Sequence, residues 1–405
     1  MEYTIAAIDV GTTKICTLIG EVDEAGTLRT VGVGLVPSRG MRKGMVVNVA
    51  RASEAILESV ERAERLSGYT VERALVMAGG QHISAVNSRG VAAISRGNRG
   101  VTLGDINRVL EAARAIPLAH NRQIIHLIPR FYTLDGQEGI RDPLGLHGFR
   151  LEVDAHVATG SSTAIRNLIK CVEAADVEVA DLLMQPLAAA EAVLTEAERE
   201  MGVAVVDIGG GTTDIGIFID DAICHTVILP TGGKHLTNDI AVGLRAPFSS
   251  AEEIKVRCGH ALPEALEEER IEIVPFGGEG RRSVSRRFLA QIIRARMEEI
   301  FDLIQQEINR SGYGGLLPAG IVLCGGTGSL KGIEALGREV TQLPVRVGRS
   351  HDLYGLTDAI EGPACSASVG LLLWGLHHPI VDVPEPEGPS PWHRVTQWLR
   401  AFLPA

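Results

Sequence analysis

Short aliphatic runs open the chain. Residues 5–10, 14–21 and 27–36 each read as a buried strand. Residues 49–66 change to a helical period, with Ile56, Val60 and Ala63 on one stripe, and 74–77 return to strand. Strands alternating with helices argue for an α/β body. The stretch 82–160 has a different pattern. Residues 83–94 predict two strands parted at 87–90. Thr102 caps a helix running to about Ile116, with Asp105 as capping-box partner and Pro117 as stop. Residues 123–134 and 149–158 predict strands joined by the Gly/Pro/Asp-rich loop 135–148. A small α+β unit is therefore expected inside the larger body. Beyond it the pattern predicts helices over 163–175 and 186–199 and strands over 203–208 and 215–219. A charged region follows, with helices over 251–258 and 286–308, then a buried strand over 321–324. The body closes with 345–347 and 366–376 and is expected to stop near Ile380. Behind it, 382–391 holds four prolines and reads as a semi-rigid spacer.

Composition narrows the function classes. The 405 residues allow two to three domains of about 150 residues. A net charge of −11 argues against bulk nucleic-acid binding, which takes a basic surface. Six cysteines stand singly with no CxxC pair, so neither a disulfide framework nor a thiolate zinc site is expected, and a reducing compartment is the natural home. The N-terminus enters a strand directly, so no secretory leader is expected. The apolar run 369–376 is far short of the roughly 20 residues that span a bilayer. The histidines form no metal-ligand spacing, and His377–His378 reads as surface punctuation after an apolar helix.

The candidate chemistry lies in two similar segments. Residues 5–14 end in Asp9-Val10-Gly11-Thr12-Thr13-Lys14, and residues 204–214 run through Asp207-Ile208-Gly209-Gly210-Gly211-Thr212-Thr213-Asp214. Each is an aliphatic strand, an Asp, a glycine turn with hydroxyls, then another strand. A turn without β-carbons lets backbone N–H groups approach phosphate oxygens closely. Threonine hydroxyls add donors and Lys14 a point charge. An Asp at each strand end, Asp9 and Asp207, suits a hydrated Mg²⁺. A third cluster, Gly325-Gly326-Thr327-Gly328-Ser329, follows a strand and is expected to open a helix over 330–340, the arrangement that holds an adenosine and α-phosphate. Neither a Walker A loop nor a GxGxxG after the first strand is present.

These motifs, in this order, resemble the actin, Hsp70 and sugar-kinase superfamily, and within it the FtsA family of bacterial cell-division proteins, over nearly all of residues 1–380. The carriers are 9–14, Gly40-Met41-Arg42-Lys43-Gly44, the insert with Asp142-Pro143-Leu144-Gly145-Leu146, 205–214, Ala251-Glu252-Glu253-Ile254-Lys255 and 325–330. The resemblance implies an actin-like two-lobed α/β fold. Lobe I takes 1–81, 161–195 and 350–381, lobe II takes 196–349 with 241–305 as its smaller part, and 82–160 is the inserted α+β subdomain. It implies ATP or ADP with Mg²⁺. Gly11, Thr12, Thr13 and Lys14 would meet the β/γ-phosphates from one side, Gly209, Gly210, Gly211 and Thr212 from the other. Gly325, Gly326 and Thr327 would hold the adenosine. Glu252 and Lys255, three apart on one helical face, would reach the ribose and base, or else form a plain surface ion pair. Gln185 falls where actins orient the attacking water, or is an ordinary core-edge glutamine. The nucleotide is expected to act mainly as a conformational and polymerisation switch, with weak hydrolysis. The implied partners are FtsZ, further copies of the chain, later divisome proteins and the cytoplasmic membrane. Arg281, Arg282, Arg286 and Arg287 lie in the half where a division-ring partner docks, or are a solvated charge cluster. An actin-like assembly ATPase of pilus type and a soluble phosphotransferase are the alternatives.

The C-terminal segment 392–405 has its own pattern. On a helical wheel Trp392, Val395, Trp398, Leu399, Phe402 and Leu403 share an arc of roughly 140°. Arg394 and Arg400 face the other way, and no acidic residue intervenes. An amphipathic helix of this kind is suited to lie in an anionic lipid interface; docking on its own domain is the bland alternative.

Overall fold

The computed structural model describes residues 3–94, 100–277, 280–351, 354–356 and 358–378. The terminal helix and spacer expected over 382–405 lie outside the described residues.

Two five-stranded sheets share one topology. In the first, the hairpin Tyr3–Val10/Lys14–Val22 continues antiparallel into Leu28–Pro37, while Arg73–Ala78 and Glu178–Met184 add parallel strands on the other side. The second repeats this order with Val203–Ile208, Thr213–Ile219 and Ala222–Leu229, then Ile321–Cys324 and Val345–Val347. The central strands are buried along their whole length, which explains their aliphatic composition, interrupted at Asp207. Helices Gln185–Val193 and Ser366–His377 lie between the two sheets and are buried nearly all round, so apolar residues predominate on every face. One continuous core runs from Ile5 and Leu18 of the first sheet through Ala188, Ala192 and Leu371 to Val205 and Val322 of the second. The outer faces are covered by Val49–Ser67 and Ser162–Glu173 on one lobe, and by Gly233–Leu244, Phe248–Cys258 and Arg286–Arg310 on the other.

The insert is a four-stranded sheet, in the order Ser84–Ala93, Arg150–Ser161, Arg122–Leu134, Gln137–Ile140, backed by helix Leu103–Arg114. Thr102 and Asp105 form the expected capping box. The expected pair of strands over 83–94 is instead one strand paired continuously with Arg150–Ser161. Gly90 is not a turn residue. A β-carbon there would lie 2.6 Å from the Ala113 backbone nitrogen, so the glycine lets the helix press onto the strand. The expected helix over 186–199 is two helices, because Thr195 and Glu198 cap a new one, Glu196–Met201. The strands Glu178–Met184 and Ala222–Leu229 and the helix Gly233–Leu244 are additional to the sequence reading.

The insert leans on the second lobe through a polar seam. Asn87 Nδ2 donates to Cys224 O (3.0 Å), and the His156 ring bridges Asn87 Oδ1 (2.7 Å) and Thr226 Oγ1 (3.0 Å). Arg130 joins Asp154 (3.0 Å) to Cys224 Sγ (3.2 Å). Burial lowers His156 to about 3 and His126 to about 4, so both rings are neutral in the folded protein. An unfolded histidine titrates near 6.5 and so takes up a proton that the folded one refuses. Relative to a His156→Gln variant, the wild type should therefore lose about 1.4 kcal/mol per pH unit as pH falls from about 6 to 4. Urea unfolding at several pH values measures this; a pH-independent difference would refute neutral burial. His377 is exposed at the end of the apolar helix, as expected, and His378 is half-buried. His377 Nδ1 lies 2.6 Å from Glu191 Oε1 and His378 stacks on Trp374 at 3.7 Å.

Candidate functional site

The two hairpins meet at the cleft between the lobes. Each turn closes with the same bond, Gly11 N to Lys14 O and Gly209 N to Thr212 O, both 3.0 Å. The register sets Asp9 opposite Cys16 and Asp207 opposite Asp214. The turns lie against each other: a β-carbon on Gly210 would overlap Thr13 Cγ2 and stand 2.9 Å from its Oγ1. Thr12 Oγ1 accepts from Gly44 N at 2.9 Å, which ties the short hairpin Met41–Arg42/Met45–Val46 to the first turn.

Buried charge is concentrated behind these turns. Burial and the neighbouring Asp9 carry Asp207 up to about 6, against a hydrogen bond from Gln185 that lowers it. Burial and the nearby Asp207 carry Asp214 up to about 8. Asp214 is 1% exposed; the Thr212 side chain lowers its value, but no hydrogen bond of good geometry reaches either carboxylate oxygen among the described residues. Asp9 Oδ2 accepts from Ser368 Oγ at 2.7 Å. Lys14 Nζ stands 3.2 Å from Cys365 Sγ; burial works against its charge, but Asp9 and Cys365 hold it above the usual lysine range. Among the described residues no three His, Cys, Asp or Glu side chains converge to ligate an ion directly. An orphaned, fully buried carboxylate beside a second raised one is nevertheless a donor set that a hydrated divalent cation would relieve.

The third glycine cluster sits beside the second hairpin, where a β-carbon on Gly325 (φ +81°) would stand 2.6 Å from Ile208 O and overlap Asp207 Oδ1. It does not open an α-helix. Gly326–Ser329 is a single tight turn and the helix begins at Ile333, after Gly332 in the left-handed region. The helix N-terminus at the cleft is instead that of Gly233–Leu244. Gly233 N and Lys234 N donate to Gly209 O and Gly210 O, both at 2.8 Å, and Thr327 Oγ1 lies 2.7 Å from where a Gly233 β-carbon would stand. Lys255 Nζ bonds Gly233 O (3.3 Å), Thr237 Oγ1 (2.9 Å) and Glu252 Oε2 (2.8 Å), and the Thr237 hydroxyl also donates to Glu252. Glu252 and Lys255 therefore do form an ion pair, placed at the cleft edge. Gln185 belongs to the surroundings of Asp207.

Arg281, Arg282, Arg286 and Arg287 each hold an internal partner: Glu272, Leu244 O, Glu269 with Cys258 O, and Leu266 O. The lipid-facing residues expected at Trp392, Arg394, Val395, Trp398, Leu399, Arg400, Phe402 and Leu403 lie outside the described residues, among which no helix is long and apolar enough to cross a membrane. Asp214, Lys234, Ser368 and Cys365 are site residues that the sequence reading did not assign.

The profile described as "Cell division protein FtsA" matches residues 204–370, and that described as "SHS2 domain inserted in FTSA" matches 80–159. The cell division protein FtsA of Pseudomonas aeruginosa is 44% identical over 373 residues, 92% of this chain and 89% of its own length. The chain belongs to the FtsA family. It is an actin-like cell-division protein with an inserted SHS2 domain. Among solved structures, that titled "PilM-PilN type IV pilus biogenesis complex" superposes with a TM-score of 0.64 at 15% identity, covering 92% of this chain and 98% of its own. MreB5 of Spiroplasma citri bound to ADP does so with a TM-score of 0.54 at 14% identity, covering 91% and 94%. At such identities these two share the fold with an FtsA, and the fold only.

Proposed function

We propose that this member of the FtsA family is an ATP-binding, polymerising tether that anchors the FtsZ ring to the cytoplasmic face of the membrane and helps recruit later divisome proteins at the division site. The observation that carries the reading is the contact of two matching glycine turns, one from each lobe, in front of a buried acidic cluster. Gly11, Thr12, Thr13 and Lys14 contact the phosphates from one lobe and Gly209, Gly210, Gly211 and Thr212 from the other. Gly325, Gly326, Thr327, Glu252 and Lys255 hold the nucleoside. Asp9 and Asp207, joined by Asp214, hold a hydrated Mg²⁺, which supplies charge neutralisation at the polyphosphate. Gln185 orients water in a slow hydrolysis, a role supported by its hydrogen bond to Asp207. A fold shared with an ADP-bound MreB supports a nucleotide in this cleft.

The membrane half of the proposal rests on the amphipathic pattern of 392–403, behind a proline-rich spacer of about ten residues. One such helix binds lipid weakly, and copies carried on one filament gain avidity without new contacts. Co-sedimentation with anionic liposomes tests this, comparing the full chain with one ending at Val383. The full chain should pellet, and more so with ATP, while the truncated chain stays in solution. Equal pelleting of the two would overturn the tether.

A further inference from the structure

The cleft holds a lysine that the motif reading left aside. Lys234 is the second residue of helix Gly233–Leu244 and belongs to the second lobe. Its backbone N–H bonds the Gly210 turn, and its Nζ crosses the cleft to donate to Thr12 O of the first lobe at 3.1 Å. Three lysines border this cleft with described side-chain bonds, and their engagement differs. Lys255 makes three hydrogen bonds to fixed groups of its own lobe, one of them to a carboxylate. Lys14 is held by Cys365 Sγ with Asp9 close by. Lys234 makes one, to a neutral carbonyl, and an ammonium has three donors to satisfy. Its ammonium is half-buried, so it gives up water for that single bond.

The order of groups along the cleft indicates which part of a nucleotide it meets. Lys255 and Thr327 adjoin Gly233, Glu252 pairs with Lys255 and is close enough to favour the charge of Lys234, and Lys234 Nζ itself meets Thr12 O. Thr12 belongs to the turn that the nucleotide reading gives to the β/γ-phosphates, so a triphosphate held there brings its terminal phosphates to Lys234.

We infer that Lys234 is the cation that reads the third phosphate: its Nζ latches the lobes through Thr12 O when no nucleotide is bound, and exchanges that carbonyl for the terminal phosphate of a nucleoside triphosphate. The inference rests on the nucleotide reading above and adds to it a residue that separates triphosphate from diphosphate. A phosphate oxygen is the stronger partner for an ammonium, since both members of the bond are then charged. A diphosphate ends short of Nζ and leaves the latch in place.

Titration calorimetry with Mg²⁺ tests this using ATP and ADP on the full chain and on Lys234→Gln and Lys234→Arg. Lys234→Gln should lose about tenfold to a hundredfold in ATP affinity, as expected for one charged hydrogen bond, with ADP affinity within about twofold of wild type. Lys234→Arg should retain the preference for ATP. Without nucleotide, backbone amides of the Thr12 and Gly210 turns should exchange faster with deuterium in Lys234→Gln, because the cross-lobe bond is gone. Equal losses for ATP and ADP, or an unchanged ratio, overturn the role of Lys234 and leave the nucleotide site standing. A wild type that binds neither nucleotide overturns both.

Discussion

A Gly370→Ala substitution is expected to lower stability by roughly 3 kcal/mol or more, the upper end of what one added methyl costs in a packed core. Gly370 lies at the crossing of Ser366–His377 with Gln185–Val193. A β-carbon there would overlap the carbonyl oxygen of Ala188 and stand 2.6 Å from its carbonyl carbon. The obstacle is backbone, so no side-chain rotation relieves it. Neither helix has a direction in which to move, because Ala188, Ala189, Ala192, Val369 and Leu371 are fully buried and the core they join reaches both sheets. Parting the helices would part the lobes. Gly362→Ala is the control: its β-carbon would meet nothing within 4 Å and its φ is −76°. Denaturant titration should show a lower midpoint for Gly370→Ala, or an insoluble product, and no loss for Gly362→Ala. A Gly370→Ala protein with the wild-type midpoint would mean that the two helices are not locked as described.

Where the sequence signalled its elements, the signal was burial. The strands Val203–Ile208 and Ile321–Cys324 are enclosed on both faces, so apart from the buried Asp207 their composition is apolar and marks them from end to end. Glu178–Met184 is an edge strand whose Glu178 and Asp181 face water, and that polarity breaks both the aliphatic run and the alternation. The helix Gly233–Leu244 starts with glycines because its first turn lies directly against the Gly209 turn, and glycines at a helix start conceal it from propensity. The break before Glu196–Met201 was legible in Thr195-x-x-Glu198, a capping signal that competes with helix continuation.

The site was legible where it repeats. Asp9 and Asp207 stand out because two hairpins carry the same turn. Asp214 does not, since the position opposite Asp9 is occupied by Cys16, so comparing the hairpins hides the third carboxylate. Lys234 reaches Thr12 across 222 residues and Ser368 reaches Asp9 across 359. Such pairs have no local spacing to read, and only the closing of the two lobes brings them together.

A large electrostatic effect belongs to Asp214. In the absence of metal and nucleotide, Asp214→Asn should stabilise the protein at pH 8 by several kcal/mol, on the order of 4. The sign follows from the direction of the shift. Burial and the neighbouring Asp207 raise the folded-state value to about 8 from an ordinary 3.8, so the folded protein binds a proton that the unfolded chain releases. Stability is then lost as pH rises from about 4 to 8, and the neutral amide avoids that loss. The amide is itself buried without a described partner, but an unpaired amide costs much less than an unpaired charge. Urea unfolding in EDTA at pH 4 and pH 8 measures the gain, which should be large at pH 8 and vanish at pH 4. With Mg²⁺ and ATP the order should reverse, since wild type gains a counter-charge for the carboxylate and the variant has none to match it. A variant no more stable than wild type at pH 8, or equally more stable at both pH values, would show that Asp214 is not held as an uncompensated buried acid, and the acidic floor of the cleft would lose its reason to attract a cation.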